Sequence, residues 1–301
     1  MAIPDYQSLM LPVLQFAQTK KLYALSDAIE YLANQLKLTQ EEKNEMLPSG
    51  TQGRFENRVS WTQWYLKKAG LLESPSRGYF QITEKGKKTL ESKPTSINIK
   101  FLMQFDEFKD FITRSRKSSS KKDPEEDSQT PKEIIEEGYQ KIRNELAADL
   151  LTAVMKCSSK FFENLVVELL IKMGYGGSRK DAGQAIGQSG DGGIDGIIKE
   201  DKLGLDVIYI QAKRWESSVG SRELRDFVGS LAGQKANKGV FITTSTYTKD
   251  ALSFVSSIQQ KVILIDGDQL AQLMIDNNIG VSKVASYEIK KIDSDYFTDE
   301  F

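Results

Sequence analysis

The chain of 301 residues contains no histidine, and this absence excludes several classes of catalytic site. Without histidine there is no Ser-His-Asp or Cys-His triad, no HExxH metalloprotease site and no nuclease with a histidine base. A single cysteine, Cys157, excludes an internal disulfide and a cysteine-rich zinc site. What remains for an enzyme of this composition is carboxylate and lysine chemistry.

Other common signatures are missing as well. No segment matches GxxxxGK[ST], so we expect no P-loop and no nucleoside triphosphate as a partner. No apolar run approaches the length of about 18 residues that a membrane span needs. The N-terminus MAIPDYQSLM lacks a basic region followed by an apolar core, so we expect no signal peptide. Together with the single cysteine, these absences predict a cytoplasmic protein.

Charge is nearly balanced over the whole chain, at −1, but it is unevenly distributed. Residues 52–93 carry nine lysines and arginines against four acidic residues, a net charge of +5, whereas residues 1–51 carry −2. A basic segment of this kind is the electrostatic signature of nucleic-acid binding. We therefore expect double-stranded DNA to contact the first third of the chain.

In residues 1–93, apolar residues recur at helical spacing and are followed by two short strand-like runs. Helices followed by a β-hairpin are the plan of a winged helix-turn-helix domain, in which the last helix enters the major groove. Arginine and asparagine suit base edges, and lysine suits phosphates. The candidate DNA contacts are Arg54, Asn57, Arg58, Gln63, Lys67 and Lys68 on the helix and Arg77 on the wing. The alternative interpretation of these residues is a solvated helix face.

The remaining chain is predicted to contain a linker, a connecting helix and a second domain. Residues 94–131 include a run of serine, proline and charge, which predicts a partly disordered linker. Residues 132–155 have helical apolar spacing and connect to a domain at 156–290, followed by a tail at 291–301. In the second domain, a hairpin followed by helix, strand, helix, strand and helix predicts an α/β fold with a mixed sheet between helices. The chain as a whole is then α+β.

The stretch 187–215, GQSGDGGIDGIIKEDKLGLDVIYIQAKRW, carries the candidate chemistry. DVIYIQAK has the composition and alternation of a strand, so Gln211 and Lys213 share one face. A turn at 200–204 would place Asp195 beside Gln211. A carboxylate, a carboxamide and an ammonium in one small volume are the equipment of a metal-dependent phosphodiesterase. The alternative is a charged hairpin face with a Lys–Asp pair.

The spacing D-x15-Q-x-K, inside GDGGIDG and IQAKRW, resembles the Q-x-K variant of the PD-(D/E)XK nucleases, and more closely the Mrr-type restriction endonucleases. The similarity continues in LAGQKANKGVFITTS (231–245), LIDGDQLAQLMIDNNIGV (264–281) and LKKAGLLESPSRGYFQITEKG (66–86), and so covers nearly the whole chain. The resemblance implies a restriction-endonuclease-like core. It also implies type IV restriction, the cleavage of methylated double-stranded DNA without a methyltransferase partner.

The resemblance also implies a Mg²⁺ site. We expect Asp195, the side-chain oxygen of Gln211, the Ala212 carbonyl and waters as ligands, with Glu163 joining from the preceding helix. Lys213 would position the attacking water or stabilise charge on the phosphate. Because Gln211 replaces an acid that is usual in the wider superfamily, we expect weaker metal affinity than an acid would confer.

Several alternatives to this function stay open at this point. One is a nuclease for damaged or branched DNA in repair, and another is a winged-helix regulator whose nuclease domain is silent. A structural pair of domains without nucleic acid is disfavoured by the +5 segment. Cutting both strands requires two active sites, so we expect a homodimer or larger homo-oligomer, associated with the nucleoid.

Overall fold

The computed structural model describes residues 3–18, 22–76, 78–116, 128–176, 194–200, 206–290, 292–293 and 296. Arg77, the GDGG part of the glycine-rich run, most of the turn predicted at 200–204, most of the tail and residues 117–127 of the linker lie outside this description. The chain divides into two compact units, Met1–Lys141 with Lys290–Phe301, and Ile142–Ile289.

The first unit is mainly helical. Its described helices are α1 (Met10–Phe16), α2 (Leu25–Gln35), α3 (Gln40–Asn44), α4 (Arg54–Lys68), α5 (Glu84–Glu91), α6 (Ile99–Leu102) and α7 (Asp106–Arg116). Helix α8 (Pro131–Lys156) begins in this unit and continues into the second. None of the described helices combines the length and the apolar character that a membrane crossing requires.

Local sequence signals account for the boundaries of several of these helices. Thr39 caps α3 through a capping box with Glu42, and Thr83 caps α5 by accepting a hydrogen bond from the Gly86 N–H. Three short strands, β1 (Tyr23–Ala24), β2 (Leu72–Glu73) and β3 (Tyr79–Ile82), form an antiparallel sheet in the order β1-β3-β2. The helices and hairpin expected here are present, and the winged-helix assignment stays an interpretation.

The core of the first unit extends into the segment predicted to be a linker. Ile97, Ile99, Leu102, Phe108 and Ile112 are buried in the same apolar cluster as Tyr6, Leu66 and Phe80. The linker prediction is therefore wrong for this part of the range 94–131. The physical reason is that α6 and α7 carry an apolar stripe, and such a stripe is stabilised by burial against other elements.

The described elements of the second unit surround a four-stranded sheet. They are the end of α8, then α9 (Ser159–Lys172), β4 (Gly196–Lys199), β5 (Val207–Lys213), α10 (Ser221–Gly233), β6 (Lys238–Thr243), α11 (Lys249–Ser257), β7 (Lys261–Ile265) and α12 (Gly267–Asp276). The strand order is β4-β5-β6-β7, with β4 antiparallel to β5 and the other two pairs parallel.

Apolar side chains project from both faces of this sheet. On one face Ile208 and Ile210 pack with α9 and α12, and on the other Tyr209 and Phe241 pack with α10 and α11. This is the alternation that a strand covered on both sides must have. The predicted mixed sheet between helices is confirmed. Its parallel strands β5, β6 and β7 end at one edge, and β5 ends there at Lys213.

Candidate active site

The β4–β5 hairpin brings Asp195 to the part of β5 that carries Gln211 and Lys213. Gly196, the first residue of β4, pairs with Ile210. The N–H of the preceding residue, Asp195, donates to the carbonyl of the same Ile210 at 2.8 Å, so the regular pairing ends at Gly196. The predicted turn therefore does bring Asp195 to the end of β5, although the pairs of the ladder do not include Asp195 and Gln211.

The Asp195 carboxylate is held by the backbone of the facing strand. Its Oδ2 accepts a hydrogen bond from the Ala212 N–H at 2.8 Å. Burial raises the pKa of this carboxyl above its usual value, and the carboxylate of Glu163 acts in the same direction. The Ala212 N–H, Lys213 and Lys160 favour the ionised form and oppose that rise in the pKa. Asp195 is thus a partly desolvated carboxylate that lies near both positive and negative side chains.

Gln211 contributes an oxygen whose hydrogen-bonding capacity is unused within the described residues. The residue is 6% exposed, and its Oε1 is buried with no hydrogen-bond partner in the described part of the chain. A buried acceptor without a partner costs about 1–3 kcal/mol. A hard cation at this position would satisfy the oxygen. Lys213, two residues further along β5, is half-buried, and its charge lowers the pKa of Asp195.

Helix α9 brings two further charges to the same place. Glu163 lies in the early part of the helix, and its Oε2 accepts from the Lys160 Nζ at 3.1 Å. Both side chains influence the pKa of Asp195, so the structure brings Glu163 into the electrostatic environment of the predicted site. Sequence reasoning did not identify Lys160. The signal for it is its position three residues before Glu163, which places the two side chains on one helix face.

This donor set suits a hard divalent cation. Such ions prefer carboxylate, amide and carbonyl oxygens, and Asp195, Gln211 and Glu163 supply the first two kinds. Among the described residues there is no group of three or more His, Cys, Asp and Glu side chains able to hold a metal. A cation here would therefore depend on the Gln211 amide and on backbone oxygen as well as on two carboxylates.

Two protein-family models match the chain. One, described as "Restriction endonuclease", covers residues 154–274, and the other, the Mrr N-terminal domain, covers residues 6–92. The type IV methyl-directed restriction enzyme EcoKMrr of Escherichia coli K12 is 38% identical over 307 residues, which span 99% of this chain and 100% of that enzyme. The chain belongs to the Mrr family of restriction endonucleases. It is accordingly a DNA-cleaving hydrolase.

Two solved structures were also found to be similar to this Mrr-family chain. The DNA modification-dependent restriction endonuclease AspBHI is 18% identical, with a TM-score of 0.36, over 46% of this chain and 36% of that one. The MspJI restriction endonuclease, solved with a 27-mer oligonucleotide, is 22% identical, with a TM-score of 0.28, over 52% and 34%. Since both scores are below 0.5, the description of the fold rests on the strand order given above.

In the N-terminal part of the Mrr-family chain, three of the predicted DNA contacts face the start of α8. Arg54 Nη1 lies 3.0 Å from Glu133 Oε1, and Arg58 Nη2 lies 2.9 Å from the same oxygen. Asn57 is 2% exposed and accepts a hydrogen bond from the Thr130 hydroxyl at 2.6 Å. These three side chains are engaged within the protein in this conformation.

The other predicted contacts lie further along α4. The Gln63 amide donates to the Ser74 hydroxyl at 3.1 Å, and the Lys68 ammonium lies over the rings of Trp64 and Phe111. Lys67 is exposed, and Arg77 is outside the described residues. The two halves of α4 therefore differ, since only the first is covered by α8.

Proposed function

We propose that this chain is a type IV restriction endonuclease that cleaves methylated double-stranded DNA, with Asp195, Gln211, Lys213 and Glu163 as its active-site residues and Mg²⁺ as its cofactor. The observation that carries the proposal is the hairpin geometry. It holds the Asp195 carboxylate against the Ala212 N–H and within the electrostatic influence of Lys213. Between Ile210 and Ala212 lies Gln211, whose buried Oε1 has no hydrogen-bond partner within the described part of the chain.

Each residue has a role that follows from its position. Asp195, fixed by the hydrogen bond from Ala212, presents its other oxygen as an anionic ligand, and Gln211 presents a neutral one. Glu163 adds a second negative charge from α9. When bound, Mg²⁺ would polarise the scissile phosphate and lower the pKa of the attacking water. Lys213 would hold that water or stabilise the charge developing on the phosphate.

The substrate and assembly are also part of the proposal. The E. coli relative is described as methyl-directed, and similarity over nearly the full length of both chains supports the same class of substrate here. One hairpin provides one set of catalytic groups, so cutting both strands requires a second copy of the chain. A homodimer or a larger homo-oligomer is therefore the expected active form.

The test is cleavage of matched methylated and unmethylated plasmids in the presence of Mg²⁺. Wild type is compared with Asp195→Ala and with a control variant, Asp206→Ala. The control also removes a carboxylate from the hairpin, but this carboxylate forms an ion pair with Lys238. We expect wild type and Asp206→Ala to cut only the methylated plasmid and Asp195→Ala to cut neither.

Two results would overturn parts of the proposal. Equal cutting of both plasmids would remove the dependence on methylation and favour a nuclease of DNA repair. Persistent cutting by Asp195→Ala would place the active site elsewhere.

A further inference from the structure

The Glu133 carboxylate is completely buried, although it belongs to the most hydrophilic class of side chains. Its Oε1 accepts hydrogen bonds from Arg54 Nη1 and from Arg58 Nε, both at 3.0 Å. Its Oε2 accepts from the Thr130 N–H at 2.8 Å, which makes Glu133 the acidic partner of the N-terminal cap of α8. Such a charge is tolerated in the interior only when it is fully paired and hydrogen-bonded, as it is here.

The arrangement has the features of an anion bound by arginines. Two guanidinium groups from successive turns of α4 converge on one oxygen, and a phosphate oxygen presents the same charge and the same acceptor geometry. The neighbouring predicted base-reading residue is engaged in the same way, because Asn57 accepts from Thr130. Thr130 and Glu133, just before and within the first turn of α8, thus engage the Asn57 amide oxygen and both guanidinium groups in the first half of α4.

We propose that the first turn of α8 is an internal cover on the DNA-binding face of α4, with Glu133 standing in for a DNA phosphate until the duplex displaces it. The inference rests on the proposed function, since it takes DNA as the ligand of α4. It makes the Arg54–Arg58 pair a phosphate-binding site that is closed in the unliganded protein.

Opening the cover is costly, and this cost gives it a regulatory role. Separating a buried carboxylate from its arginines without replacement is strongly unfavourable, and the bond between Glu136 and the Ser49 N–H would be lost with it. A duplex phosphate would restore partners to both guanidinium groups. The apparent DNA affinity is then the intrinsic affinity multiplied by the fraction of molecules with the cover open.

The test uses the full chain in EDTA, which prevents cleavage, at one salt concentration. Binding of a fluorescein-labelled CpG-methylated duplex and of its unmethylated twin is measured for wild type, Glu133→Gln and Glu136→Gln. Both variants remove one negative charge from the same turn of α8, but only Glu133 contacts the arginines. We expect Glu133→Gln to bind about tenfold more tightly than wild type, and Glu136→Gln to stay within about twofold.

A double variant identifies the source of the gain. If the gain in affinity comes from the guanidinium groups released from Glu133, Glu133→Gln combined with Arg54→Gln will lose it, and the effects of the two substitutions on affinity will not be additive. Equal gains in Glu133→Gln and Glu136→Gln would reduce the effect to general electrostatics and overturn the cover. Unchanged or weaker binding by Glu133→Gln would make Glu133 a structural clamp only.

Hydrogen exchange on the unmodified protein supplies a second measurement that does not depend on whether a variant folds. Backbone amides of residues 132–137 should exchange faster when the duplex is bound than in the unliganded chain. Slower or unchanged exchange would overturn the cover. If wild type and all variants bind neither duplex, the proposed function itself fails; if wild type binds and Glu133→Gln binds no better, only the cover fails.

Discussion

Replacing Gln211 with methionine should stabilise the nuclease unit while it removes activity. The Gln211 Oε1 is buried without a hydrogen-bond partner among the described residues, directly after the buried apolar residues Ile208, Tyr209 and Ile210. Methionine is unbranched and of similar length, so it can occupy the same space without an acceptor that needs a partner. The substitution removes a cost to folding and, at the same time, a proposed ligand of the metal.

The magnitude follows from the cost of an unsatisfied buried acceptor. Removing it should raise the free energy of unfolding by about 1–2 kcal/mol, which corresponds to an increase of roughly 3–6 °C in Tm for a unit of this size. Cleavage of a methylated plasmid should fall by roughly 100-fold, in line with the loss of an interaction at a metal site.

Thermal unfolding in EDTA, followed by the same measurement in Mg²⁺, separates the two effects. Mg²⁺ should raise the Tm of wild type, because it binds the folded state, and should raise that of Gln211→Met much less. Gln272→Met is the matched control in the same unit. The Gln272 side chain accepts from Arg143 Nε, so its replacement removes that hydrogen bond and should lower the Tm.

A lower Tm for Gln211→Met than for wild type in EDTA would contradict this prediction. It would mean that the Gln211 amide is stabilised by its surroundings and that its oxygen carries no cost. An equal Mg²⁺-dependent rise in the Tm of both proteins would show that Gln211 is not a ligand.

Three further predictions concern the fold. Gly239→Ala should destabilise the nuclease unit by about 1–3 kcal/mol, because a Cβ there would lie 2.7 Å from the Phe227 ring; Gly233→Ala, with open space around it, should cost nothing in the same melting assay. Burial raises the pKa of Glu133, but hydrogen bonds from Thr130 and Arg58 outweigh it and hold the pKa below its usual range. The stabilisation from its ionised form is therefore complete above the pKa of an unpaired glutamate and is lost as the pH falls through the lowered pKa, so in Glu133→Gln the acid-induced drop in Tm should be smaller. Thr39→Ala should cost about 1 kcal/mol of stability in urea, because the hydroxyl accepts from the Glu42 N–H; an unchanged midpoint would contradict the cap.

Much of the second unit follows from patterns that are local in the sequence. Strand β5 was predictable because VIYIQAK alternates between two buried faces, and its polar members Gln211 and Lys213 stand out against that background. Helix α5 was not predictable in this way, because its eight residues contain a single large apolar side chain, Leu90. Its position depends on tertiary contact, since Gly86 lies close to the Leu71 carbonyl, where a Cβ would be only 2.3 Å away.

The residues of the candidate site were predictable from sequence alone, because a hairpin brings together residues whose separation can be counted along the chain. Asp195 lies at the end of β5, against the Ala212 N–H, for that reason. The surroundings of the basic helix were decided only by the tertiary structure. Glu133 lies 75 residues beyond Arg58, and no periodicity or spacing relates them. They meet because a buried charge requires a partner, and the folded chain brings the arginines of α4 to the first turn of α8.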